Sequence, residues 1–483
     1  MMKLLKFLFI LLLVFMADVA TYCEMLTLND YLNIVVKNNN KLKSLHLNID
    51  AVEGKLNEIE TIYSYLLSAG INYHVDKSGR PYNQHVKLNG ITNLSYDASV
   101  SRQFSTGTQV LFGFNGSGSK YKYAGGLLRD MEDYDVRDIA PFVKLQQSLW
   151  KNINGVYTKA NIAKAKASAK SALYLLEYKK QNVLFNAKLA YWNLSYAKKV
   201  VDFRKMSLDR TEKILSWNNK RYNMDLAEKL DLLQSQAAVK LGELNLRLAY
   251  EEENRANRVF NQYLNISDDK VKYDIEKFED KAKDLKDGGN NKELEKKSRR
   301  ADVLAALEDV RGAFYDQIFY RKTAGADLVL SGQIALNGLE QSINEALRHI
   351  IRANTPSYYV GLRYTLPLDF KLRRAVNRGY EAAKIAAQKS AEDAEVKEND
   401  DWLQLLDNWN NAKLRLDLAI EIEKIQQQRH EENKYLLEMG RSTTYLVLQS
   451  EQALDDAGLN CLNGVLELIR IYEQVEAFYN YKI

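Results

Sequence analysis

The stretch Met224-Asp-Leu-Ala-Glu-Lys-Leu-Asp-Leu-Leu-Gln-Ser235 has a counterpart 215 residues on, Met439-Gly-Arg-Ser-Thr-Thr-Tyr-Leu-Val-Leu-Gln-Ser450, with Gln234-Ser235 falling on Gln449-Ser450. Each copy follows a long run without proline and opens another. The run before the first copy, from Gly155 to about Tyr222, carries Val183, Ala187, Ala190, Leu194, Ala197, Val201, Leu208 and Leu215. Spacings of four and three residues make one apolar seam on a helix, the packing face of a coiled coil. A continuous helix from Val156 to Tyr222 would be ~100 Å long, at about 1.5 Å per residue. Ordinary globular domains rarely hold such a rod. The run before the second copy starts near Lys371, with a seam of Trp402, Leu405, Trp409, Ala412, Leu416 and Ala419. Two helical hairpins are therefore expected, 155–264 and 371–479, turning at 222–227 and 437–442; Gly440 fits the left-handed position after a helix, Asp225 can adopt the same backbone state, and Ser442 can cap the helix that follows.

Strands precede each hairpin. Phe142 to Leu149 leads into the first, and Tyr359 to Leu366 into the second. Tyr65, Leu67, Ala69, Ile71 and Tyr73 alternate with small or polar residues, the period of a strand with two unlike faces. Val110, Phe112 and Phe114 repeat the pattern, as do Leu328, Leu330, Ile334 and Leu336. Strand regions are expected at about 63–149 and 324–369, and residues 116–139, rich in Gly, Lys and Asp, read as a long loop. All four prolines (Pro81, Pro141, Pro356, Pro367) fall in these regions and none in the rods, where each would cost ~3 kcal/mol. A helix from about Leu26 to Ile62, capped by Thr27 or Asn29, leads into the first strands. A charged linker at 266–292 joins the halves, and a second lead-in helix runs from about Glu293 to Phe319. The chain thus divides into a first repeat, 24–265, that linker, and a second repeat, 293–483.

The start reads as a leader. Lys3 and Lys6 precede the apolar run Phe7 to Met16, too short to span a bilayer but suited to a signal peptide at 1–23. Cys23 ends it, and Tyr22 is bulky where a lipid-attachment site wants a small residue. Cys461 lies between Leu454 and Leu468 and fits a seam position as a small apolar side chain. With 68 Lys and Arg against 63 Asp and Glu, interspersed, the 483-residue chain has solvated helix faces rather than a nucleic-acid patch. Tyr outnumbers Phe, 30 to 15, which suits half-wet surfaces such as the girdles of membrane barrels.

No phosphate-binding loop, nucleophile elbow or zinc-protease motif occurs, and the five histidines (His46, His74, His85, His349, His430) are scattered. No cofactor, metal or catalytic residue is expected; the protein reads as a non-enzyme. The two repeats offer about four strands. Four cannot close a membrane barrel, whose edges would sit unpaired in lipid, and such barrels begin at eight. Three chains of four would give twelve; a dimer with more strands per chain also satisfies the arithmetic.

The order of elements, the duplicated halves and the tip motifs resemble the TolC-type outer-membrane efflux family over about residue 26 to the C-terminus. The pieces carrying the resemblance are Leu26-Thr-Leu-Asn-Asp-Tyr-Leu32, Asn38-Asn-Asn40, Asp231-Leu-Leu-Gln-Ser-Gln-Ala-Ala238 and Met439 to Ser450. The resemblance implies a mainly α fold with β: strand–long helix hairpin units, duplicated, forming a homotrimeric outer-membrane β-barrel, about four strands per chain, continued by a periplasmic α-helical barrel. It implies an exit duct in outer-membrane lipid for an efflux pump or type I secretion system. A periplasmic adaptor would dock at tips Met224, Asp225, Leu226, Met439, Gly440 and Arg441, and an inner-membrane pump or ABC transporter would supply energy. It further implies a periplasmic gate of Asp231 and Arg441. Two departures stand out: 74–140 exceeds what a two-strand hairpin needs, and Asp225 replaces the usual tip glycine, kept as Gly440. A secreted coiled-coil scaffold or adhesin is the alternative, and the adaptor of such a pump a third reading, though adaptors lack duplicated halves and barrel strands.

Overall fold

The computed structural model describes residues 25–81, 87–124, 134–267, 273–288, 299–352 and 355–479. The leader expected at 1–23 lies outside these residues, as do the start of the second lead-in helix and residues 125–133 of the expected loop. In chain order the elements are α1 (Leu28–Asn38), α2 (Asn40–Glu60), β1 (Tyr65–Asp76), β2 (Arg80–Pro81), β3 (Lys87–Gln103), β4 (Thr108–Ala124) and β5 (Tyr134–Ser148). The long helices α3 (Val156–Asn223) and α4 (Lys229–Tyr263) follow, then α5 (Phe278–Gly288) and α6 (Ala301–Thr323). The second half continues with β6 (Asp327–Leu336), β7 (Gly338–Glu340), α7 (Ile343–Ile351), β8 (Pro356–Thr365), α8 (Phe370–Glu438) and α9 (Thr444–Tyr479).

Two compact units cut across the sequence repeat, each drawing on both halves. One comprises residues 50–173 and 304–393; the other comprises 1–49, 174–303 and 394–483.

The first unit holds one antiparallel sheet with the path β1-β3-β4-β5-β6-β8; β2 pairs with β3, and β7 with β5. The first half supplies four strands to that path where two were expected, so the chain contributes six rather than about four. The additional pair arises because β3 and β4 are long and paired from Lys87 and Ala124 down to Gln103 and Gln109, in one register from Gly90 and Lys122 onward after a shift between Leu88 and Gly90. Residues 116–124 and 134–139 of the expected loop are therefore strand. Glycine and serine at Gly116, Ser117 and Gly118 look like loop composition, but Gly116 leaves room for the Tyr96 ring on the neighbouring strand and Gly118 for the Arg137 guanidinium. The turn between β3 and β4 is built onto the start of α3. Gly107 (φ 84°) has Asn152 O only 2.2 Å from where a Cβ would stand. Asn152 donates to Thr158 Oγ1 at 2.9 Å, and Gln103 donates to the same oxygen at 3.1 Å.

The second unit is a helical core. Val183, Ala187, Ala190, Leu194, Ala197 and Val201 are buried along α3, as are Trp402, Leu405, Trp409, Ala412 and Leu416 along α8. Tyr31 of α1 stacks on Phe260 of α4, centroids 4.3 Å apart, and both rings are fully buried. The expected single lead-in helix is two. Asn39 leaves the helical conformation, and its Oδ1 accepts from the N–H groups of Lys41 and Leu42, capping α2. Thr27 caps α1 by accepting from Asp30 N at 3.2 Å. The charged linker is not merely a linker. Leu26 and Ile275 form a parallel bridge, Phe278 and Leu285 are buried, and α5 belongs to the core. Asp280, Lys283 and Asp284 are exposed on the opposite face of this amphipathic helix. Cys461 is half-buried against this core.

Candidate functional site

Both hairpins turn in the same way. After α3, Asp225 takes a left-handed conformation (φ 57°); its N–H donates to Tyr222 O at 3.0 Å and that of Leu226 to Arg221 O at 2.8 Å. After α8, Gly440 (φ 71°) donates to Leu437 O at 3.1 Å and Arg441 to Leu436 O at 2.8 Å. This crossed pair of bonds around one left-handed residue is the Schellman arrangement, which satisfies the last carbonyls of a helix. The two left-handed residues stand 215 positions apart, the offset of the repeated stretch. Asp, with its short polar side chain, tolerates a conformation that glycine takes freely.

The structure corrects the cap of the return helix. Ser442 was expected to cap it, but Thr443 stands at that position and accepts from Leu446 N at 3.4 Å. The Ser442 hydroxyl is instead buried without a partner. Met224, Leu226 and Met439 expose their side chains on the turns, an apolar group in water that suits a docking surface. Arg441 is exposed and Asp231 half-buried. Within one chain they form no ion pair.

The chain joins the two turns elsewhere, through a residue that the sequence reading missed. Asn218, fully buried near the end of α3, donates to Ser235 Oγ of α4 and accepts from Thr444 Oγ1 of α9 at 3.2 Å. Ser235 in turn donates to Asp231 O at 2.8 Å. In the second copy the matching Ser450 is also fully buried, 3.2 Å from His430 Nδ1. The repeated Gln-Ser pair therefore marks the point where each return helix buries a hydroxyl against a polar side chain of an outgoing helix. The signal was present in the repeat itself, but its partners lie on other helices.

A buried ionic cluster sits on the same helices. Arg210 of α3 donates through Nε to Glu451 of α9 at 2.8 Å, and His430 Nε2 lies 3.3 Å from the other Glu451 oxygen. Arg204 pairs with Asp455. Burial pushes Glu451 above its ordinary carboxylate range, opposed by Arg210. Burial, then Arg210 and Lys434, hold His430 below its ordinary value. This cluster explains why Leu208 and Leu215, expected on the seam, are only half-buried. The last part of α3 turns Ser207, Thr211, Ile214 and Asn218 inward instead.

The sheet carries the second candidate surface. Pairing registers run one row across all six long strands: Leu67, Val100, Phe112, Val143, Ile334 and Tyr358. Every member is apolar, and the same face holds Ile71, Tyr73, Phe114, Leu145, Leu330, Val360 and Leu362, all exposed. The other face holds Ser68, Asn72, Ser95, Asp97, Asn115, Ser117, Lys144 and Gln333. A water-soluble sheet covers its apolar face; this one leaves it open. No helix among the described residues is long and apolar enough to cross a membrane. No group of His, Cys, Asp and Glu among them could hold a metal ion.

Solved structures share this arrangement. The outer-membrane channel OprN matches with TM-score 0.66 at 12% identity, over 93% of this chain and 89% of that one. The chain has the fold of the TolC-type outer-membrane efflux channels. The CmeC channel of Campylobacter jejuni matches with TM-score 0.65 at 16% identity, over 93% of this chain and 85% of its own. The MtrE channel of Neisseria gonorrhoeae, in its open state, matches with TM-score 0.62 at 13% identity, over 93% and 88%. No known sequence family matches the chain, and no curated relative does.

Proposed function

We propose that the protein is a passive exit duct of the outer membrane, a homotrimer through which an efflux pump or type I secretion system discharges its cargo. The observation that carries this reading is the exposed apolar face of the sheet, continuous over six strands and backed by a polar one. Lipid outside and water inside is the environment that accounts for both faces. A coiled-coil scaffold or adhesin would leave the apolar face unexplained. The fold shared with outer-membrane channels supports the same reading. Energy would come from an inner-membrane partner, reached through a periplasmic adaptor docking on Met224, Asp225, Leu226, Met439, Gly440 and Arg441.

Asp231 and Arg441, unpaired with each other inside one chain, are the proposed gate, linking hairpins of neighbouring copies. An exposed pair is worth only ~0.2–1 kcal/mol, but a symmetric ring repeats it once per copy. Leu446 stands where Asp231 would recur in the second half, so the ring has one carboxylate per chain. The test is single-channel conductance in planar bilayers. Asp231→Ala with Arg441→Ala should raise conductance above wild type; unchanged conductance would remove the gate assignment. Recovery of the protein by osmotic shock, without detergent, would remove the duct reading itself.

A further inference from the structure

The sheet path ends at β1 on one side and β8 on the other. Neither strand has a second neighbour among the described residues, and both are long, with twelve and ten residues. Their outward side chains are among the most exposed apolar groups of the chain, Ile71 at 73% and Val360 at 79%. Open edges of this kind cannot face lipid, because each free N–H and C=O would go unpaired there. Six strands are too few to close on themselves.

The two edges suit each other. Every pairing along the path is antiparallel, so with six strands β1 and β8 run in opposite directions. When β8 of one copy lies beside β1 of the next, the alternation continues unbroken. The phase also agrees: setting Tyr65 beside Tyr364 sets Leu67 beside Leu362 and Ala69 beside Val360, all on the apolar face, and Ser68 beside Gly361 on the polar one. This contact is head-to-tail, the kind that closes a ring.

We propose that β1 of each copy pairs with β8 of the next and that three copies close a barrel of eighteen strands, wide enough for a porin-like aqueous lumen. The proposal rests on the reading of the protein as a trimeric outer-membrane duct. The extra pair, β3 and β4, makes the difference from twelve. That pair is an integral part of the wall: its apolar residues Val100 and Phe112 continue the row across the sheet, and its turn is fastened to Asn152 and Thr158. Since barrel diameter grows roughly linearly with strand number, eighteen strands give about 1.5 times the width of twelve. Barrels of 16–18 strands leave an open channel. The Ser, Asn and Asp side chains of the polar face would line a wide wet passage.

The test combines cross-linking with direct counting. In a Cys461→Ala background, Ser68→Cys is paired with Gly361→Cys, or with Tyr359→Cys and Arg363→Cys for registers shifted by two residues. Oxidised membranes are run without reductant. One of the three pairs should give a covalent ladder ending at three chains. Cryo-electron microscopy of wild-type protein in detergent should show eighteen strands. A ladder ending at two chains, or a barrel of twelve strands, overturns the proposal. Absence of cross-links in all three pairs, with the polar-face pair Ser95→Cys and Ser117→Cys of the same chain still oxidising, overturns the seam. Failure of the duct reading is separate: it would appear as extraction without detergent, whatever the gel shows.

Discussion

Removing the Asn218 side chain should loosen both tips at once. Asn218→Ala deletes the donor to Ser235 and the acceptor for Thr444 in a fully buried setting. Ser235 keeps its bond to Asp231 O, but Thr444 is left without its partner. The bond lost at Ser235 is worth about 1 kcal/mol, and the Thr444 hydroxyl left buried without its partner costs about 1–3 kcal/mol, so the local loss is ~2–4 kcal/mol. Global melting reports poorly on this, since the sheet and the aromatic core of Tyr31, Trp192 and Phe260 are untouched. Native-state hydrogen exchange reads the tips directly. At 1.4 kcal/mol per tenfold, amides of residues 214–224 and 444–450 should exchange roughly 30- to 1,000-fold faster, while those around Leu194 stay protected. A double-mutant cycle with Thr444→Val should give a coupling of about 1 kcal/mol. Protection at both tips within about threefold of wild type would refute the view that Asn218 ties them together.

The turn at Gly440 should tolerate Ala poorly for reasons of backbone alone: no atom lies within 4 Å of the added Cβ, yet φ is 71°, and the cost should be ~1–2 kcal/mol, read by exchange of the α8 end. Asp225→Gly should change stability by less than about 1 kcal/mol. Thr443→Ala should cost about 1 kcal/mol as a lost cap, whereas Ser442→Ala, which removes an unpartnered buried hydroxyl, should be neutral or stabilising by the same measurement. His430 is held below its ordinary value of 6.5, so the unfolded chain takes up its proton first. The stability it contributes is complete above pH 6.5 and is lost as pH falls through 6.5 toward the folded value. Glu451, raised above 4.5, has the opposite slope, contributing below that value and losing it as pH rises through the folded one. Chemical denaturation between pH 8 and pH 5 should therefore show a steeper decline below 6.5 in wild type than in His430→Gln; equal slopes would contradict it.

The helical hairpins were legible because their signal is long. A seam repeated over many turns, without a proline, leaves little else for residues 156–223 to form, and the repeated stretch marks both turns. The sheet was half legible. Alternation identified β1, β5, β6 and β8, but β4 was cut short at Gly116 because glycine and serine read as loop. In the structure those small residues are required by neighbours on adjacent strands, Tyr96 and Arg137, which no local pattern announces. The same blindness to partners turned α5 into a linker: charges dominate its composition, and only Phe278 and Leu285 reveal a buried face.

The tips show most sharply where local reading stops. A left-handed residue after a helix is a property of the chain near it, so Asp225 and Gly440 could be identified from spacing and composition. A cap is nearly local, and the choice of Ser442 over Thr443 missed by one residue, the ordinary uncertainty of helix ends. Asn218 is different in kind. Its importance comes from meeting Ser235, seventeen residues on, and Thr444, 226 residues on, and an asparagine in a helix otherwise reads as a solvated surface residue. The gate residues go one step further. Asp231 and Arg441 stay apart in a single chain, so if they act together, their meeting depends on copies closing around the axis. The closed ring that would join them is the ring that the free edges of β1 and β8 require, which makes the barrel seam the first measurement to make and the gate the second.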